Sequence, residues 1–223
     1  LHVTGAYNGI HADRDTDSDD LVFRNNTFFS NDRDGIHLEE TNDRARIIDN
    51  TFYGVDQSGN PDQDAGIYAD DVEDLTISGN EIYNNDDAGI RVFNLRGTTL
   101  VEGNEVYDND SNGIDLDLYR DNPGAIRNNV VYNNENYGID ASGTGLVIED
   151  NIVRDHEADS FGADTGLLVI EGLARNNTVF GNDRGIRLER GAVAEQNRVY
   201  ANNDYGFYLF SRGDRIRNND IYS

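Results

Sequence analysis

Nine times along the chain a glycine precedes a large apolar residue, and from there apolar and polar side chains alternate. The glycines are Gly9, Gly35, Gly66, Gly89, Gly113, Gly138, Gly166, Gly185 and Gly206, at spacings of 26, 31, 23, 24, 25, 28, 19 and 21 residues. Segments such as Gly35-Ile36-His37-Leu38-Glu39 have the two-residue period of short strands. A second column interleaves: Asn26, Asn50, Asn80, Asn104, Asn129, Asn151, Asn177, Asn197 and Asn219, each with an apolar residue three places before and two places after. No stretch sustains a 3.6-residue stripe, and the consensus of a leucine-rich repeat is absent. What remains is a coil of two or three short strands per turn, each turn stacked about 4.8 Å above the last, so nine coils make a rod roughly 40 Å long. At a tight turn the Asn column is expected to take left-handed backbone and to pair its amide with the same Asn one coil on. The rings next to it (Phe29, Tyr53, Tyr83, Tyr107, Tyr132, Phe180, Tyr200, Tyr222) should stack in the same way.

These repeats, of the form Asn-x-apolar-Tyr-x-Asn-x-x-x-Gly-Ile, resemble the right-handed parallel β-helix superfamily. Its members include pectate lyases, polygalacturonases, mannuronan C5-epimerases and phage tailspikes. The resemblance covers the whole chain and implies an all-β fold: a right-handed parallel β-helix solenoid of about nine coils, one domain spanning 1–223. Activity on such a rod resides in a few side chains, so the resemblance speaks to fold more than to chemistry. The N-terminal capping helix usual in the superfamily is not visible in the sequence. Both termini fall within the pattern, so flanking coils or other chains are expected at both ends.

Composition narrows the partners. With 18 basic and 43 acidic side chains the net charge is −25, which excludes a phosphate backbone as ligand. No apolar run approaches the length of a membrane span. Cysteine is absent, which removes disulfides and thiolate chemistry. All 18 basic residues are Arg. Such a surface suits high salt, or the collection of divalent cations. Carbohydrate is the expected partner, at an extracellular location or on a cell or virion surface.

Alternation also maps the candidate chemistry. The first and third residues after each glycine should point inward, the second and fourth outward. In-register coils would then align His11, His37, Tyr68 and Arg91 in one column, with Asp13, Glu39 and Asp70 beside it. Further along the same face come Asp115 and Asp117, Asp140, Arg187 and Tyr208. Abstracting the C5 proton of a uronic acid needs a base, a cation or Arg to neutralise the carboxylate, and a second group to donate a proton. His11, His37, Tyr68 and Arg91 are the catalytic candidates, and Glu39, Asp70, Asp115, Arg187 and Tyr208 the substrate-binding ones. Asp13, Asp15, Asp17 and Asp117 are candidates for Ca²⁺. The mannuronan epimerases carry Asp-Pro-His-Glu at this kind of strand; Gly35-Ile36-His37-Leu38-Glu39-Glu40 keeps the final Glu, shifts the His and lacks the Pro. The polygalacturonase signatures Asn-Thr-Asp, Gly-His-Gly and Arg-Ile-Lys are missing. Asp108-x-Asp110-x-Asn112-Gly113 echoes an EF-hand loop, but Tyr119 stands where that loop requires Glu, and the repeat explains the match. Two insertions, 55–65 and 154–165, break the period. The second gathers Asp155, His156, Glu157, Asp159 and Asp164, a candidate cation site or a tolerated surface loop. Two functions follow: a lyase or C5-epimerase of uronic-acid polymers assisted by Ca²⁺, or a non-catalytic rod of tailspike, adhesin or surface-layer type.

Overall fold

The computed structural model describes residues 1–54, 63–156 and 165–222. Among them, three parallel sheets run the length of the molecule, each coil giving one strand to each sheet. Sheet 1 holds ten strands, from His2–Thr4 to Asp220–Tyr222. Sheet 2 holds nine, from Ile10–Ala12 to Tyr205–Leu209, and sheet 3 nine, from Val22–Arg24 to Arg215–Arg217. Sheet 2 consists of the strands that follow the repeat glycines. The period-two reading holds: Ile36, Leu38, Ile67, Ile90 and Val92 are fully buried and stack coil upon coil in one continuous core. A glycine begins each of these strands because neighbouring coils approach too closely for a side chain. A Cβ on Gly35 would lie 2.6 Å from the Gly66 carbonyl oxygen and 2.6 Å from the Phe52 ring.

The Asn column forms a buried ladder. Asn104 Nδ2 donates to Asn129 Oδ1 at 3.0 Å, its backbone N–H donates to the same oxygen at 2.9 Å, and Nδ2 also reaches the Ile77 carbonyl at 3.1 Å. One detail of the expectation is corrected. The left-handed residue is not the ladder Asn but the one before it: Asn25, Asp49, Gly79, Gly103, Asn128, Asp150, Asn176, Gln196 and Asn218 all have φ between 53° and 66°. That residue makes the bend, and the following Asn is thereby aimed inward.

A second ladder, unread in the sequence, stands at the turn from sheet 1 to sheet 2. Its buried members include Asn31, Gln63, Asn85, Asn109, Asn134, His156 and Asn182. The geometry is the same: Asn109 Nδ2 donates to Asn134 Oδ1 at 2.8 Å, and Ser30, Asn84, Asp108, Asn133 and Asp155 take the left-handed bend one place earlier. His156 therefore is not a cation ligand. It replaces an Asn in the ladder, with Nδ1 accepting from the Asn134 backbone N–H at 3.2 Å. Its proposed companions Glu157, Asp159 and Asp164 lie outside the described residues.

The rings of sheet 1 stack as expected, with centroids 4.8–5.2 Å apart from Phe29 through Tyr53, Tyr83 and Tyr107 to Tyr132. On sheet 3 an outward column alternates in charge: Glu102, Arg127, Glu149, Arg175, Glu195 and Arg217 occupy successive rungs. Within it the pairs Arg127–Glu102, Arg175–Glu149 and Arg217–Glu195 close at 2.7–2.9 Å. Among the described residues no helix is long and apolar enough to cross a membrane.

Candidate functional site

The outward column of sheet 2 reads His11, His37, Tyr68, Arg91, Asp115, Asp140, Leu168, Arg187, Tyr208 in strict register. Because parallel strands place equivalent residues one rung apart, the first three rings stack face to face. His37 lies 4.8 Å from His11 and 4.5 Å from Tyr68, with interplanar angles of 4° and 16°. Sandwiched in this way, the His37 side chain is only 4% exposed although it sits on the outer face.

His37 Nδ1 meets Asp34 Oδ2 at 2.6 Å, and both side chains are buried. Asp34 Oδ1 is held in turn by the Ala65 N–H at 3.3 Å. With Nδ1–H donating to Asp34, His37 lines an open cleft of ≈ 380 Å³ whose walls also include Arg14, Arg33, Glu39, Tyr68 and Asp70. Glu39 Oε1 is 3.4 Å from Nε2, a long contact, and Glu39 also accepts from Arg14 Nε at 3.3 Å. Burial acts to raise the Glu39 carboxyl, but its contacts with His37 and Arg14 outweigh it and hold it below its ordinary value. Burial, reinforced by Asp70, pushes the Tyr68 phenol up against the opposing pull of Arg91, so Tyr68 stays protonated at neutral pH.

The remaining candidates separate. His11 stacks beneath His37 and is bonded to Asn8 at 2.8 Å. Arg91 is one rung beyond Tyr68, but its guanidinium is engaged by Asp87 and lies over the Phe93 ring at 5.5 Å, away from the His37 cleft. Asp13, Asp15 and Asp17 share one exposed turn of the first coil, whereas Asp117 sits on the fifth-coil strand Ile114–Leu118 and hydrogen-bonds Ser142. Among the described residues no three His, Asp or Glu side chains gather closely enough to hold a metal ion. Burial raises Asp115 to about 6, against the pull of Arg91, and raises Asp140 to about 7, helped by Asp115 one rung below. Leu168, 5% exposed, then interrupts the polar column, and Arg187 beyond it pairs with Glu189 at 2.5 Å and lies over Tyr208 and Phe210. The fourth-position column is also interrupted: Phe93 pairs with Asp70, but a bulge at Phe93–Asn94 shifts the next match to Leu95 with Leu118.

The fold agrees with what comparison finds. Residues 8–174 match the family described as "Right handed beta helix region". The chain belongs to that family. Among solved structures it is similar to the A-module of the Azotobacter vinelandii mannuronan C-5 epimerase AlgE6, at 17% identity and a TM-score of 0.65 over 91% of this chain and 58% of that one. It is similar also to the AlgE4 A-module from the same organism, at 13% identity and a TM-score of 0.63 over 100% of this chain and 86% of that one. At these identities the likeness is one of fold, and the chain spans under two thirds of the AlgE6 module. No curated protein matches the chain.

Asp34 was missed in the sequence, and a signal for it exists. The residue just before each repeat glycine lies three places ahead of the outward column. Asn8 with His11, and Asp34 with His37, are the same contact in successive coils. Asn112 stands in the same relation to Asp115 and hydrogen-bonds it.

Proposed function

We propose that this β-helix cleaves an acidic polysaccharide by β-elimination at the His37–Tyr68 cleft. The observation that carries the reading is the buried Asp34–His37 contact beside a protonated Tyr68 on one wall of the cleft. Asp34 fixes the imidazole so that Nε2 is the accepting nitrogen, and substrate entry displaces the long Glu39 contact toward Arg14. Nε2 then takes the C5 proton of a uronate. The electron pair passes into the C5–carboxylate system, beside which Arg14 and Arg33 supply positive charge. The C4–O4 bond breaks to leave a C4–C5 double bond, and the departing O4 takes the Tyr68 phenolic proton. Base and acid on one wall favour elimination of a proton and a leaving group from the same ring face. Epimerisation needs proton donors and acceptors on opposite faces.

Calcium, which the fold family suggests, finds no ready-made site among the described residues, and no step is routed through it. It enters the reading as an exchangeable counter-ion between a −25 chain and a polyanion. Chelation is then expected to raise KM and leave kcat in place. The deciding experiment follows both the ultraviolet absorbance of unsaturated product and the C5 configuration by NMR, with alginate and pectate as substrates. Unsaturated product that falls about 100-fold in Asp34→Asn supports the reading. C5 inversion without unsaturation, or turnover unchanged in Asp34→Asn, refutes it. A rod without turnover on any uronan would instead be a glycan-binding or spacing element.

A further inference from the structure

The His37 cleft does not end at Tyr68. A second open cleft of ≈ 330 Å³, lined by Asp71, Asn94, Arg96 and Tyr119, adjoins it, and the two share Asp71 and Asn94. Together they form a groove along the C-terminal edge of sheet 2, crossing from the second coil to the fifth. The bulge makes this turn of the groove. Asn94 takes left-handed backbone at φ 52°, and its Nδ2 donates to Asp70 Oδ1 at 2.9 Å. Arg96 is bound across the floor by Asp71, Nε to Oδ1 at 2.8 Å and Nη2 to the backbone carbonyl at 3.0 Å, so its charge is already satisfied.

The far end differs. Tyr119 is 40% exposed, and the Arg120 guanidinium lies 4.7 Å from its ring centroid. Arg120 makes no ion pair among the described residues, in a chain where acidic side chains outnumber basic ones 43 to 18. An exposed ring beside an unpaired guanidinium suits a sugar that offers a C–H face and a carboxylate together. We infer that Tyr119 and Arg120 form a distal subsite for an acidic sugar residue, and that the polymer leaves the His37 cleft along this edge instead of up the Asp115–Asp140 column.

The inference deepens the acidic-polysaccharide reading and rests on it for the ligand class, but it is tested by binding alone. Calorimetry with His37→Gln protein, in which the proposed base is removed, would compare uronate trimers, uronate hexamers and neutral β-linked glucose hexamers. The uronate hexamer is expected to bind about tenfold tighter than the trimer, a difference of about 1.4 kcal/mol. Arg120→Ala should bring the uronate hexamer down to trimer affinity, and Tyr119→Ala should do the same. Arg198→Ala, which removes the same charge from the Tyr200–Tyr222 stack on sheet 1, should change nothing. Hexamer affinity that survives both groove variants, an equal loss in Arg198→Ala, or no binding of uronate hexamers overturns the inference. Groove-dependent binding by a protein that never forms unsaturated product sustains the subsite and removes the lyase.

Discussion

His156→Asn isolates the physics of the ladders in one titration. The imidazole is fully buried between Asn134 and Asn182, and burial lowers its pKa from 6.5 to about 4, with backbone contacts at Asn134 and Val131 opposing only in part. The cause is visible in the geometry. Nδ1 lies 3.2 Å from the Asn134 backbone N and 3.1 Å from its carbonyl oxygen, so one ring nitrogen is served whether it accepts or donates. Nε2 has no partner of hydrogen-bond geometry among the described residues, so the imidazolium, which carries a proton on both nitrogens, buries an unpaired N–H and its charge. Between about pH 6.5 and pH 4 the unfolded chain takes up a proton that the folded chain refuses. Stability is thus fully present above pH 6.5 and is lost as pH falls. The displacement from 6.5 to about 4, at about 1.4 kcal/mol per pH unit, amounts to about 3 kcal/mol. Asp115 and Asp140, whose carboxyls are raised, titrate in the same interval with the opposite sign. The difference between variant and wild type cancels them. Urea unfolding of both proteins at pH 7.5, 6, 5 and 4, with hydrogen exchange of the Asn134 amide as a local reporter, should show the variant gaining about 3 kcal/mol on wild type across the range. Parallel stability curves for the two proteins would refute the reasoning.

Tyr68→Phe removes the proposed acid and should lower turnover about 100-fold with little change in KM; in wild type the alkaline fall in rate should lie above the ordinary phenol range, because burial raises Tyr68. Asn104→Ala strands the Asn80 backbone N–H and takes one acceptor from Asn80 Nδ2 inside the core, while Asn129 Oδ1 keeps the backbone N–H of residue 104; chemical denaturation should record a loss of about 1–3 kcal/mol. Arg175→Glu places like charge on three successive rungs, Glu149, position 175 and Glu195. It should cost about 1–2 kcal/mol at low ionic strength, and molar NaCl should recover most of it, as thermal melts at two salt concentrations would show.

The coil, its nine repeats and the inward set were legible in the chain because a solenoid repeats one local decision. Glycine, then period-two alternation, then Asn, reports the same burial in every turn. The stacking of His11, His37 and Tyr68 followed from register alone, since parallel strands of one period bring equivalent residues to adjacent rungs. Other features depend on contacts between turns that no single repeat encodes. Asp34 became the partner of His37 only through the bend at Gly35, which brings residues three apart side by side. His156 read as a loop ligand because its burial comes from the neighbouring coils, which hold it in line with Asn134 and Asn182. The bulge at Asn94 shifts register by a residue that alternation cannot announce, and it opens the edge groove toward Tyr119. Period and alternation are local and were written in the residues; the cleft arises where neighbouring coils differ, and that was decided when they stacked.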